Sequence, residues 1–154
     1  MRFNVALVAF MAFSSCINPS TFAEEPGARA HSKDERRLHE LVGDIITDID
    51  TSRSHKDHTD AFGASLVINK FEVYYNDEVR HMGKELRIKY FLAMLWHVGF
   101  DGCPMGAYIS TVRNDPAAAE FVRRLETFIQ REEERDGNSR YLFVSKAVLK
   151  RLKA

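Results

Sequence analysis

Apolar residues recur at helical spacing through most of the chain, separated by short polar segments. The first patterned stretch is residues 5–13, VALVAFMAF, nine apolar residues in a row behind Arg2. A positive start, an apolar core of about 7–15 residues and a polar tail with small residues form the layout of a secretory signal peptide. Residues 14–23 supply that tail: Pro19 breaks a helix, and Thr21 and Ala23 are small enough to flank a cleavage site. Residues 1–23 therefore read as a cleaved leader. A competing reading puts Cys16 at a lipoprotein cleavage site, with Phe13 a poor residue three positions before it. A buried helix would also explain the apolar run, but a lone Arg behind the initiator Met favours export.

Residues 24–31, EEPGARAH, read as a flexible arm. Ser32 and Glu35 then form a capping-box pattern, and Leu38, Leu41, Val42, Ile45 and Ile49 follow at helical spacing. Residues 51–60, TSRSHKDHTD, are polar throughout and predict a loop. Residues 61–75 read two ways. Val67, Phe71, Val73 and Tyr75 alternate as in a strand; Phe62, Leu66, Phe71, Val73 and Tyr74 also suit a buried helix, which the helical remainder of the chain favours.

Asn76 or Asp77 can cap a long helix over residues 78–98, with Val79, Met82, Leu86, Tyr90, Ala93 and Trp96 near one face. Residues 88–98 are apolar almost all round, which predicts burial, and Gly99 is a natural stop. Pro104 opens a short helix ending near Val112, and Asn114-Asp115-Pro116 restarts the chain. The next stripe is Ala118, Phe121, Val122, Leu125, Phe128 and Ile129. Its charged end, residues 130–136, reads as solvated, and Gly137 stops it. Ser139 then caps a last helix with Tyr141, Val144, Val148 and Leu152 inward. The expected fold is a single all-α domain over residues 32–154, built from five or six helices.

Composition narrows the function. A chain of 154 residues holds one ordinary domain, and 45% hydrophobic against 29% charged residues is a globular balance. Lys+Arg and Asp+Glu are 22 each, so bulk charge predicts no nucleic-acid partner and no broad anionic-lipid surface. No apolar run reaches the roughly 18 residues of a membrane span. Two cysteines exclude a disulfide-rich mini-protein. Cleavage after Ala23 would leave 154 − 23 = 131 residues, a charge balance of 21 − 22 = −1 and Cys103 as the one thiol. Such a thiol pairs between chains, stays buried, or works in a reducing compartment. Lys146, Lys150, Arg151 and Lys153 load the last helix's C-terminus, where the helix dipole already explains them.

Few residues point to chemistry. Cys103 precedes Pro104 at a predicted helix start, where the dipole can lower a thiol pKa; the second cysteine of a redox pair is missing, so an incidental role is favoured over a reactive thiol. His55 and His58 stand three apart beside Asp57 and Asp60, so they are weak metal candidates with no third and fourth ligand in sight. His81 and His97 stand sixteen apart, about 24 Å along a helix, too far to share a site. Trp96, the single tryptophan, reads as a core anchor first and a partner contact second. Phosphate-loop, nucleophile-elbow and zinc-protease patterns are absent from the sequence. No cofactor is expected, and interaction is favoured over catalysis.

Arg36-Arg37-Leu38-His39-Glu40 reads R-x-L-x-E and begins 36 − 23 = 13 residues after Ala23. It resembles the export element of apicomplexan parasites, which is cut after its Leu. It also resembles the R-x-L-R element of oomycete effectors. His39 stands where the oomycete form has Arg, and Asp34-Glu35-Arg36 overlaps the element instead of following it as the acidic run should. Glu133-Glu134-Arg135 matches that run better but lies far downstream. The stretch Phe91 through Trp96, then Gly99, Pro104 and Tyr108-Ile109, is broadly similar to the helical unit of oomycete effector domains. The resemblance implies a secreted effector delivered to host cytoplasm or nucleus, with host proteins as partners and with Arg36, Leu38 and Glu40 as a processing or host-targeting motif. Leu38 also fits the apolar stripe of the first helix. The alternative is an exported helical inhibitor of immunity-protein type, in the periplasm or outside the cell; a metal- or thiol-dependent enzyme is third.

Overall fold

Reciprocal capping starts the first helix, α1, at Lys33–Ser54. The Glu35 amide donates to Ser32 Oγ at 3.1 Å, and the Ser32 amide donates to Glu35 Oε2 at 3.1 Å. Two helix-end donors are thereby satisfied, and the acidic first turn faces the positive end of the dipole. The computed structural model describes residues 32–54, 60–100, 105–135, 137 and 139–154. The expected leader over 1–23, with Cys16, and the arm over 24–31 lie outside the described residues.

Five further helices follow: α2 at Asp60–Asp77, α3 at Lys84–Phe100, α4 at Met105–Asn114, α5 at Ala118–Arg135 and α6 at Arg140–Lys153. A 3₁₀ turn, Val79–His81, joins α2 to α3. The described residues are all-α and contain no strand, and their helices share one apolar core.

Residues 61–75 are helical, and the burial pattern shows why the alternating reading fails. Phe71 is fully buried whereas Val73 is 52% exposed, so the two point to opposite sides.

Several boundaries differ from the sequence expectation. The polar stretch 51–60 is not wholly a loop: α1 continues to Ser54 and α2 begins at Asp60, because polar residues do not by themselves stop a helix. The long helix expected from residue 78 is broken. Glu78 leaves helical geometry at φ −128°, Met82 is extended, and the Gly83 carbonyl accepts the Leu86 and Arg87 amides at 3.0 and 3.2 Å. The break lets Val79 and Met82 both enter the core, and their three-residue spacing fits a tight turn as well as a helix. At the other end, α3 runs past Gly99 to Phe100. Ser139 precedes α6, but its hydroxyl makes no capping bond; its carbonyl accepts the Leu142 and Phe143 amides instead. The charged end of α5 is not all solvated either, since Glu132 is buried and holds Arg135 at 2.8 Å.

Ion pairs give the helix directions. Arg37 pairs with Glu78 just past α2, Lys70 pairs with Asp44 and Asp48, and the Tyr74 hydroxyl also donates to Asp44, so α1 and α2 run antiparallel. Glu133 with Lys146 and Glu126 with Lys153 show the same for α5 and α6. Both pairs pack against α3, whose Ile88, Tyr90, Phe91, Leu92, Met94 and Leu95 are buried on every side. A helix apolar all round belongs in a core, and α3 is that helix. Rings connect the layers: Phe71 stacks on Tyr90 at 5.2 Å, Phe71 meets Tyr108 at 5.4 Å, and Phe91 meets Phe121 edge-on at 5.8 Å. The buried phenols are satisfied, Tyr90 donating to the Phe71 carbonyl at 3.0 Å and Tyr108 to the Phe91 carbonyl at 2.7 Å. Burial pushes both phenols' pKa values up, so they stay neutral donors.

Candidate functional site

The R-x-L-x-E element occupies the first two turns of α1 and is divided by them. Leu38 points into the core and is 1% exposed, while Arg36 and Glu40 stay on the surface. The residue between, Arg37, makes a long-range contact. Its Nε and Nη2 donate to Glu78 Oε2 and Oε1, both at 2.7 Å, and its Nη1 donates to Glu40 Oε2 at 3.0 Å. A guanidinium fork on one carboxylate fixes angle as well as distance. The bond from Arg37 holds the Glu78 carboxyl below its usual range, against a smaller opposing effect of burial.

Arg36, Arg37, Glu40, Glu78 and His81 line an open cleft of about 500 Å³ between the start of α1 and the α2–α3 turn. Its walls carry both signs of charge, the pattern of a pinned surface corner.

The most enclosed polar cluster lies elsewhere, around Asp115. Its side chain is fully buried. Tyr75 Oη donates to Oδ2 at 2.7 Å, and Arg87 Nε contacts Oδ2 at 3.0 Å and Oδ1 at 3.2 Å. The Ala117 amide donates to Oδ1 at 2.6 Å. Arg87 Nη1 also donates to the Met82 carbonyl at 2.8 Å. One carboxylate thus ties α2, the 3₁₀ corner, α3 and the start of α5 together. Burial, then the bond to Asp115, pushes the Tyr75 phenol up. Every resolved pKa shift among the described residues moves away from neutrality: carboxyls down, phenols and cations up. Such shifts belong to ion pairs and buried donors that hold structure.

Trp96 lies in the last turns of α3, and its side chain is outside the description; His55, His58 and Cys103 lie outside the described residues. Among the described residues no group of three or more His, Cys, Asp or Glu side chains could hold a metal ion. No described helix is long and apolar enough to cross a membrane.

Sequence reasoning missed the partnership of Arg37 with Glu78, 41 residues away, and that of Asp115 with Tyr75 and Arg87, 40 and 28 residues away. It also missed Phe143, which is 75% exposed on α6 although the inward stripe already left it out. No protein-family model, curated protein or solved structure matches the chain.

Proposed function

We propose that this chain is a secreted effector that enters a host cell and acts on host defence proteins through protein–protein contacts. The observation that carries the proposal is the Arg36-x-Leu38-x-Glu40 element, set shortly after a leader-like segment at the head of a helical domain. A helical bundle suits this work, since its core tolerates many apolar sequences and its outer faces are free to change.

Burial of Leu38 adds a condition on processing. A protease needs its substrate extended, so a cut after Leu38 requires the first turns of α1 to open. Returning a buried leucine to water costs about 2–3 kcal/mol, which holds the open form to roughly one part in 30–150. Folding of α1 therefore slows cutting after Leu38 by roughly 30–150-fold, which favours a cut before α1 folds or an element that works uncut. The same burial favours the second reading, an exported binding protein that stays outside host cells.

Intact mass and N-terminal sequence of the chain from the cells that make it, with its location in infected tissue, test the proposal. A chain found inside host cells, beginning at His39 or uncut through it, is expected. A chain confined to the periplasm or medium overturns the host-directed reading and leaves the exported inhibitor. An enzyme that depends on the thiol or the histidine pair predicts loss of the biological effect in Cys103→Ser or in joint His55→Ala and His58→Ala, whereas the effector reading predicts its retention.

A further inference from the structure

Charge is unevenly spread among the helices. The chain as a whole balances to zero, yet α4 and α6 contain no Asp or Glu. Between them they carry Arg113, Arg140, Lys146, Lys150, Arg151 and Lys153. Lys146 and Lys153 are engaged by Glu133 and Glu126 of α5. Among the described residues no carboxylate pairs with Arg113, Lys150 or Arg151; Arg113 instead donates to the Arg151 carbonyl and closes the end of α6. Arg113 and Arg151 line an open groove of about 530 Å³ between α4 and α6, together with Ile109, Ser110 and Asn114.

Phe143, 75% exposed, stands near the start of α6, eight residues and about 12 Å along the axis from Arg151. Lys150 lies seven residues on, about 10 Å along α6 and within about 20° of the same direction. Arg151 is turned by about 80° towards the groove. An exposed aromatic ring on the same helix as unpaired cations, about 10–12 Å from them, has the composition of a binding hot spot.

We propose that this face of α4 and α6 docks an acidic segment of a partner protein, with Phe143 entering an apolar pocket of the partner and Arg113, Lys150 and Arg151 receiving its carboxylates. The inference rests on the reading of the chain as a protein-binding module. A membrane fits less well: Leu142, Val144 and Val148 of α6 are buried in the core, leaving Phe143 alone to insert, whereas an interfacial helix needs a whole apolar face. A nucleic acid fits less well, since its phosphate track needs a longer row of cations than these three.

The test pans a displayed library of short random peptides on the full chain and measures the best binder against wild type, Phe143→Ala, and the pair Lys150→Glu with Arg151→Glu. All three positions are exposed, so thermal melts should be unchanged. The expected binders are rich in Asp or Glu around an aliphatic or aromatic residue. Each variant should lose at least tenfold in affinity, and wild-type binding should weaken between about 50 and 300 mM salt. The proposal is overturned by binders with no acidic bias, by variants that bind as wild type, or by tighter binding of phosphatidylserine vesicles or an oligonucleotide. Failure here with delivery into host cells intact removes the docking face and leaves the effector reading. Failure of delivery with the peptide result intact does the reverse.

Discussion

Replacing Asp115 by alanine should loosen four parts of the molecule at once. The carboxylate is fully buried, and its removal strands three donors: the Tyr75 hydroxyl, the Arg87 guanidinium and the Ala117 amide. Arg87 is the costly one. Its side chain is only 15% exposed, and among the described residues no other carboxylate pairs with it. Removing one partner of a buried ion pair costs about 3–5 kcal/mol, because the other charge remains out of water. A domain's whole stability is about 5–15 kcal/mol, so this one change removes a large share. At roughly 3–6 °C per kcal/mol for a domain of this size, the midpoint should fall by roughly 10–30 °C. Urea and thermal unfolding followed by helical circular dichroism measure it. Asp115→Asn should fall between, since one oxygen is kept for the Ala117 amide while an NH₂ group now faces Arg87. The combined Arg87→Met, Asp115→Leu, Tyr75→Phe variant should recover much of the loss, because apolar groups of similar size replace every stranded charge. An Asp115→Ala chain within about 1 kcal/mol of wild type would refute the reasoning, as would a triple variant no more stable than the single one.

Leu38→Ala should cost about 2–5 kcal/mol through the cavity it leaves, measurable by the same unfolding curves. Arg36→Ala and Glu40→Ala, both exposed, should stay within about 0.5 kcal/mol, so these two and not Leu38 can test the export element without unfolding the domain. Ser145 is fully buried and its hydroxyl has no partner among the described residues, so Ser145→Ala should be neutral or stabilising by about 1 kcal/mol; a loss above that would refute this. Glu120 is held by Arg123 at 2.6 and 2.9 Å and by Arg124 at 2.8 Å, which lowers its pKa to about 2. A carboxyl lowered in the folded state contributes stability above its unfolded value near 4.5, and that contribution is lost as pH falls towards 2. Carboxyl NMR titration should place Glu120 well below ordinary glutamates, and Arg123→Ala with Arg124→Ala should return it to the usual range.

Local patterns made much of this architecture legible. Leu38, Leu41, Val42, Ile45 and Ile49 repeat with the helical period, and all five are buried. The capping box at Ser32 and Glu35 closes as its spacing predicts. The all-round apolar stretch of α3 lies at the centre of the fold. Each of these is set within a few residues, by turn geometry or by the hydrophobic face a helix must cover. The break at residues 78–83 was harder to see, because Val79 and Met82 keep the same inward spacing in a 3₁₀ turn as in a helix. The candidate site was legible only in part. Arg36, Leu38 and Glu40 form a linear pattern, but the pattern does not show that Leu38 is core and that Arg37 is tied to Glu78.

By itself, then, the sequence determined the helical class, the central apolar helix and the start of α1, since these follow from local period and capping. Only the tertiary structure decided that Arg37 meets Glu78, that Asp115 gathers Tyr75, Arg87 and the Ala117 amide, and that Phe143 stays in water. Those relations join residues tens of positions apart. Their partners are chosen by how helix faces pack, and no short-range rule of propensity or spacing carries that choice.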